Sequence, residues 1–152
     1  MKINWQLKKF EELSSIELYK LLHLRAAVFV VEQNCPYQDA DGKDLKSFHV
    51  LGTDENGELQ AYSRIVPPGI SFDEVSIGRV VTAAVARGKG AGKELMRESL
   101  KRVNELYGPV DIRIGAQCYL LKFYTELGFV AEGEEFLEDN IPHIEMVYSG
   151  RK

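Results

Sequence analysis

The heptapeptide Arg87-Gly88-Lys89-Gly90-Ala91-Gly92-Lys93 stands between an apolar run, Ile77-Gly78-Arg79-Val80-Val81, and a long amphipathic stretch that ends at Tyr107. A strand, a glycine-rich turn and a helix start, in that order, make an anion site. The first turn of a helix leaves backbone N–H groups unpaired and carries about half a positive charge. Glycines let that backbone approach an anion with no side chain in between. The chemistry to expect is phosphate binding. A nucleoside-triphosphate loop would need Gly at 87 and Ser or Thr at 94, where Arg87 and Glu94 stand, and a dinucleotide fingerprint would need Gly at 93, where Lys93 stands. Both are excluded.

Other reactive residues give less. Cys35 and Cys118 form no CxxC pair and no disulfide framework, and no histidine lies where it would activate Cys35 as a nucleophile. The segment Asp39-Ala40-Asp41-Gly42-Lys43-Asp44 resembles a calcium loop only briefly, since Gly and Glu are missing at 44 and 50. It reads as a solvated turn that shapes or screens a site, and no metal is expected.

The elements that must position the phosphate loop follow from periodicity. Ile3 to Leu7 alternates as a short strand, and Ser14 with Glu17 forms a capping box for a helix whose apolar face carries Leu18, Leu21, Leu22, Arg25, Val28 and Phe29. The β-branched run Val28 to Val31 leaves the end of that helix open. Asn34 to Lys46 is a long loop, and Phe48–Thr53 and Leu59–Val66 are strands joined around Glu55-Asn56-Gly57. Val75 to Ala84 is a further strand. Gly88 to Tyr107 is the clearest helix, with Ala91, Leu95, Met96, Leu100, Val103 and Tyr107 on one stripe and Gly108-Pro109 as its stop. A strand from Asp111 to Ala116, a short helix from Tyr119 to Leu127, and strands at Phe129–Phe136 and His143–Tyr148 complete the chain. This order predicts an α+β fold, one mixed sheet with flanking helices, parallel in part because a helix crosses between strands.

Composition bounds the partners. The 152 residues, 45% hydrophobic and 28% charged, suffice for one compact domain spanning 1–152. Nineteen basic residues interleaved with 23 acidic ones, net charge −4, build no nucleic-acid surface and suit a cationic acceptor better. No apolar run is long enough to span a membrane and no leader precedes the first strand, so a cytoplasmic protein is expected.

Arg87, Gly90 and Gly92 fill a pattern of Arg or Gln, two residues, Gly, one residue, then Gly or Ala, which resembles the pyrophosphate loop of the GNAT N-acetyltransferase superfamily. Downstream, Gln117 and Phe123-Tyr124-Thr125-Glu126-Leu127-Gly128-Phe129 resemble that superfamily's second cofactor segment. The segments Leu24-Arg25, Val28 to Tyr37, Ile77 to Val80 and Ile141 to Ile144 resemble its ElaA branch across nearly the whole chain. The resemblance implies the GNAT fold, with a V-shaped split between two adjacent parallel strands, one ending near Thr82 and one near Ala116. It implies acetyl-CoA as co-substrate in that split, held by residues 87 to 93, Gln117 and Phe123, with a bulge in the first strand freeing backbone at Val80, Val81 and Thr82. An amine would attack the thioester directly, the Val81 N–H would steady the oxyanion, and Tyr124 would protonate the leaving thiolate; alternatively Tyr124 is a core aromatic. An acceptor ammonium must first lose a proton, and Glu32, Glu74, His143 and Glu145 are the candidates to take it. Arg25 and Glu32 could instead form a buried ion pair. The acceptor is a small-molecule or protein amine, and the chain a monomer or homodimer. Two alternatives stay open: a non-catalytic acyl-CoA-binding module, or transfer of a longer acyl chain, since Arg25-x-x-Val28-Phe29 also resembles the acyl-homoserine-lactone synthases.

Overall fold

The computed structural model describes residues 2–150. Seven strands and three α-helices alternate in the expected order: β1 (Asn4–Lys9), α1 (Ser15–Arg25), β2 (Phe48–Thr53), β3 (Leu59–Val66), β4 (Ser76–Thr82), α2 (Ala91–Tyr107), β5 (Ile112–Gln117), α3 (Leu121–Glu126), β6 (Phe129–Glu138) and β7 (Ile141–Tyr148). The strands form two antiparallel sheets, β1-β2-β3-β4 and β5-β7-β6. Among the described residues the parallel pairing expected from the crossover is a single bridge, Val75 with Ile112, where the Arg113 N–H donates to Val75 O at 3.0 Å. Beyond that bridge β4 and β5 diverge, so the one mixed sheet expected is two sheets splayed into a V. α2 is the crossover between them.

Strand alternation sends the two faces of the first sheet to different helices. Val50, Ala61, Ile65 and Ile77 pack with Leu95, Met96 and Val103 of α2, while Leu51, Tyr62 and Val81 pack with Leu21 of α1. β3 is buried on both faces from Gln60 to Val66, and the polar residues within it find partners there: Gln60 on Asp54, Ser63 on Ser99, Arg64 on Asp41 and Asp44. Full burial of Leu95 and Met96 stabilises by about 1.5–3 kcal/mol each. α2 stops where expected: Gly108 takes φ 78° and its N–H donates to Asn104 O at 2.8 Å, ahead of Pro109.

Several boundaries differ from the sequence reading: β4 ends at Thr82 ahead of a 3-10 turn at Ala84–Ala86, α3 starts at Leu121 after another at Cys118–Leu120, β1 runs on to Lys9, and three further differences shape the site. α2 begins at Ala91 rather than Gly88, because Gly88 and Gly90 adopt φ of 76° and 77°, a left-handed conformation outside a helix. α1 ends at Arg25, and Ala26–Glu32 continues as a π-helix whose wider turn is seen in the Gln33 N–H donating to Val28 O at 3.0 Å; the β-branched run is neither a strand nor plain α-helix. β6 and β7 meet in a tight turn at Asp139 and Asn140, both at positive φ, which suits a two-residue hairpin. No helix among the described residues is long and apolar enough to cross a membrane.

Candidate functional site

The V opens into a cleft of about 1050 Å³. One wall is β4, and its backbone is irregular. Tyr62 pairs with Val81 and Arg64 with Gly78, so Ser63 of β3 faces both Arg79 and Val80. This is a bulge, and Arg79 takes the extra residue's strain at φ 51°. The ladder is thus irregular at Arg79 and Val80, while Val81 and Thr82 stay in register with Tyr62 and Ala61.

Val80, Val81, Thr82, Arg87, Gly92, Gln117, Phe123 and Tyr124 all line this cleft. Gly88, Lys89 and Gly90 form the exposed turn beside it, Ala91 is buried in the core, and the Lys93 ammonium lies 3.5 Å from Glu126. Gly90 caps α2 without any side-chain hydrogen bond, so the amides of the first turn have no internal partner to displace. Gly92 faces the Phe123 ring, which would lie 3.6 Å from an added Cβ.

The π-helical segment bridges both arms of the V. Glu32 accepts from the Arg87 guanidinium at 2.8 Å, and the Gln33 amide donates to Gln117 Oε1 at 3.3 Å. Tyr124 is 6% exposed between Phe123 and Phe129, ring centroids 5.1 and 5.7 Å away. Burial, with a smaller contribution from Tyr119, raises its phenol pKa, so the hydroxyl keeps its proton at neutral pH.

The four candidate bases are not equivalent. Glu32 is engaged by Arg87. Arg113 donates to Glu74 at 3.1 Å and to Glu145 at 2.9 Å, and the Arg113 hydrogen bond holds the Glu74 carboxyl below its usual range. His143, 6% exposed, places Nδ1 2.6 Å from Ile141 O and Nε2 3.5 Å from Glu138.

The Arg25–Glu32 pair left open as an alternative does not form, and the acidic loop, with Asp39 and Asp44 buried, is not simply a solvated turn. Arg25, fully buried, reaches Asp39 at 2.9 Å and Asp44 at 2.8 Å. Arg64 grips Asp41 with two bonds of 2.7 Å and Asp44 with one of 3.0 Å, and Arg79 adds contacts to Asp39 and Asp41. Three guanidinium and three carboxylate charges thus meet, with Arg25, Arg64, Asp39 and Asp44 buried and Arg79 and Asp41 reaching solvent. Burial alone would raise the Asp44 and Asp41 carboxyls, but hydrogen bonds from Arg25 to Asp44 and from Arg64 to Asp41 hold both low. Beneath them the His49 Nε2 lies 3.0 Å from Asp44 O and must carry the proton, so Nδ1 accepts from Tyr62 Oη at 2.6 Å. Burial lowers the His49 pKa accordingly. The signal was present in the sequence as arginines set among apolar positions at 25, 64 and 79, facing aspartates whose partners only the fold reveals.

Two splayed sheets, a bulged β4 and a glycine-rich helix start define an acyl-CoA N-acyltransferase architecture, and the chain belongs to the acetyltransferase (GNAT) domain family, which matches residues 25–149. Within it the chain is similar to Protein ElaA of Escherichia coli, 45% identical over 95% of each chain, whose crystal structure superposes with a TM-score of 0.90 over 97% of this chain and 100% of that one at 43% identity. An acyl-CoA N-acyltransferase from Pseudomonas aeruginosa is 41% identical, with a TM-score of 0.91 over 97% of this chain and all of that one. An aminoglycoside 6'-N-acetyltransferase crystallised with coenzyme A shares the fold at 17% identity, TM-score 0.71, covering 97% and 98%.

Proposed function

We propose that this chain, acting as one domain, transfers an acetyl group from acetyl-CoA to an amine by direct attack, with no covalent enzyme intermediate. The observation that carries the reading is the convergence on one cleft of a bulged strand, an uncapped helix N-terminus and a buried, protonated tyrosine. Arg87 and the amides of the turn at residues 88 to 93 fit a pyrophosphate, and the neighbour crystallised with coenzyme A supports that ligand class. Gln117 and Phe123 flank the path of the pantetheine arm, and backbone of Val80, Val81 and Thr82 along the open edge of β4 meets its amides and the thioester carbonyl. There an N–H, most simply that of Val81, steadies the oxyanion. The carbonyl carbon gains the C–N bond and the C–S bond breaks. Tyr124 Oη gives its proton to the departing sulfur, and solvent restores it from the proton shed by the new amide nitrogen.

The test is calorimetric titration with acetyl-CoA and thiol-release assay of the wild type, Arg87→Ala and Tyr124→Phe. Arg87→Ala is expected to weaken acetyl-CoA binding about tenfold or more, the usual worth of a charge-assisted hydrogen bond. Tyr124→Phe is expected to keep the affinity and lose about a hundredfold in kcat. A protein that binds acetyl-CoA yet releases no thiol whichever amine is offered would be the non-catalytic binding module, and a longer acyl-CoA turned over in preference would identify a different donor.

A further inference from the structure

We infer that His143 is the base that takes the proton from the acceptor ammonium, through Nε2. The inference rests on the acetyl-transfer reading above. A contact of 2.6 Å between Nδ1 and the Ile141 carbonyl requires the proton on Nδ1, because a carbonyl can only accept. Neutral His143 therefore carries its lone pair on Nε2. The side chain lines the cleft, while the other candidate carboxylates are each held by an arginine.

Its position relative to Tyr124 fits a division of labour. In the β5–β7 register Gln117 faces His143 and Gly115 faces Glu145, so these side chains share one face of the sheet. Ile114, Ala116 and Met146 belong to the opposite face, and they cluster with Tyr124. Base and acid thus reach the split from its two sides. An amine arrives over the His143 face, loses one proton to Nε2 and attacks the thioester; sulfur leaves toward Tyr124. Glu138, 3.5 Å from Nε2, becomes the counter-ion of the imidazolium, which then returns its proton to water. The other titratable groups around this part of the cleft are Asp139, Glu145, Tyr37 and Cys35, with Arg113 pairing Glu145; the Cys35 thiol donates to Asp139 O at 3.3 Å.

Two measurements test this on the whole protein. The first needs no acceptor: two-bond ¹H–¹⁵N spectra of the imidazoles at neutral pH, with His143 identified by its loss in His143→Asn. The Nδ1–H form with a bare Nε2 is expected, and an Nε2–H form would overturn the assignment. The second compares wild type and His143→Asn, whose amide can still donate to Ile141 O, in acetyl-CoA thiol release with spermidine and lysine methyl ester as probes. At pH 7 kcat/KM should fall about a hundredfold. The deficit should shrink as pH nears the amine's own pKa of about 10, where free amine needs no base, while acetyl-CoA affinity stays put. A variant within threefold of wild type at pH 7 would sink the inference. A wild type that binds acetyl-CoA but acetylates neither probe would overturn the acetyl-transfer reading beneath it, a failure the imidazole spectra keep separate.

Discussion

Neutralising Asp44 should unsettle the fold more than any surface change. Its carboxylate is shared, accepting from Arg25 at 2.8 Å and from Arg64 at 3.0 Å, and Arg25 has no exposure through which water could replace it. In Asp44→Asn the network holds three guanidinium charges against two carboxylates. Removing one partner of a buried pair costs about 3–5 kcal/mol, since the remaining charge stays desolvated. For a chain of this length each kcal/mol moves the melting point by about 2–4 °C, so a fall of roughly 10–15 °C is expected. Circular-dichroism melts and urea titrations of the two proteins measure it. The matched control is Glu32→Gln, which breaks the Arg87 pair at 40% and 49% side-chain exposure and should cost less than about 1 kcal/mol. A melting point for Asp44→Asn within 3 °C of wild type would refute the claim that these charges are desolvated and mutually required.

The same network sets the acid limb of stability. Asp41 and Asp44 are held low in the fold, so the unfolded chain binds more protons once pH drops below about 4; stability present above that value is then lost as pH falls further. Urea midpoints at pH 7, 5, 4 and 3 should fall mainly over the last two steps, with a shallower decline in Asp41→Asn. Gly52 offers a packing test: a Cβ there would lie 2.5 Å from the Trp5 ring, so Gly52→Ala should cost about 1–3 kcal/mol by overpacking, measured by the same titrations.

The glycine turn and the stripe of α2 were legible because both are local: Gly88 and Gly90 permit one backbone geometry, and Leu95, Met96 and Val103 recur at helical spacing. The β2–β3 hairpin was legible for the same reason, while the tight β6–β7 turn was not, because neither Asp139 nor Asn140 is the glycine that usually marks positive φ. The split of the sheets was expected from the family resemblance alone, since it depends on how far the Val75–Ile112 pairing continues, which neither strand's composition specifies. Asp39 and Asp44 resembled solvated turn residues because their partners Arg25 and Arg64 lie 14 and 20 positions away. The π-helix escaped because Val28 to Val31 is equally compatible with strand and helix. Which base candidates an arginine holds could be read only from distances, as Arg113 takes Glu74 and Glu145 and Arg87 takes Glu32.

The way the two sheets meet bears on how the molecule assembles. Residues 4–82 contain every strand of one sheet and residues 112–148 every strand of the other, each joined by antiparallel neighbours, so each unit can grow from one short-loop hairpin, β2–β3 or β6–β7. The two are joined by α2, one parallel bridge, the Gln33–Gln117 and Glu74–Arg113 contacts and a shared apolar core, all of them long-range in sequence. In refolding, far-ultraviolet ellipticity should therefore return before the cleft exists, and ligand binding should be the last property regained. The same seam suggests where the chain could be cut: fragments divided between Tyr107 and Asp111 would each carry a whole sheet, and reconstituted binding would report their docking.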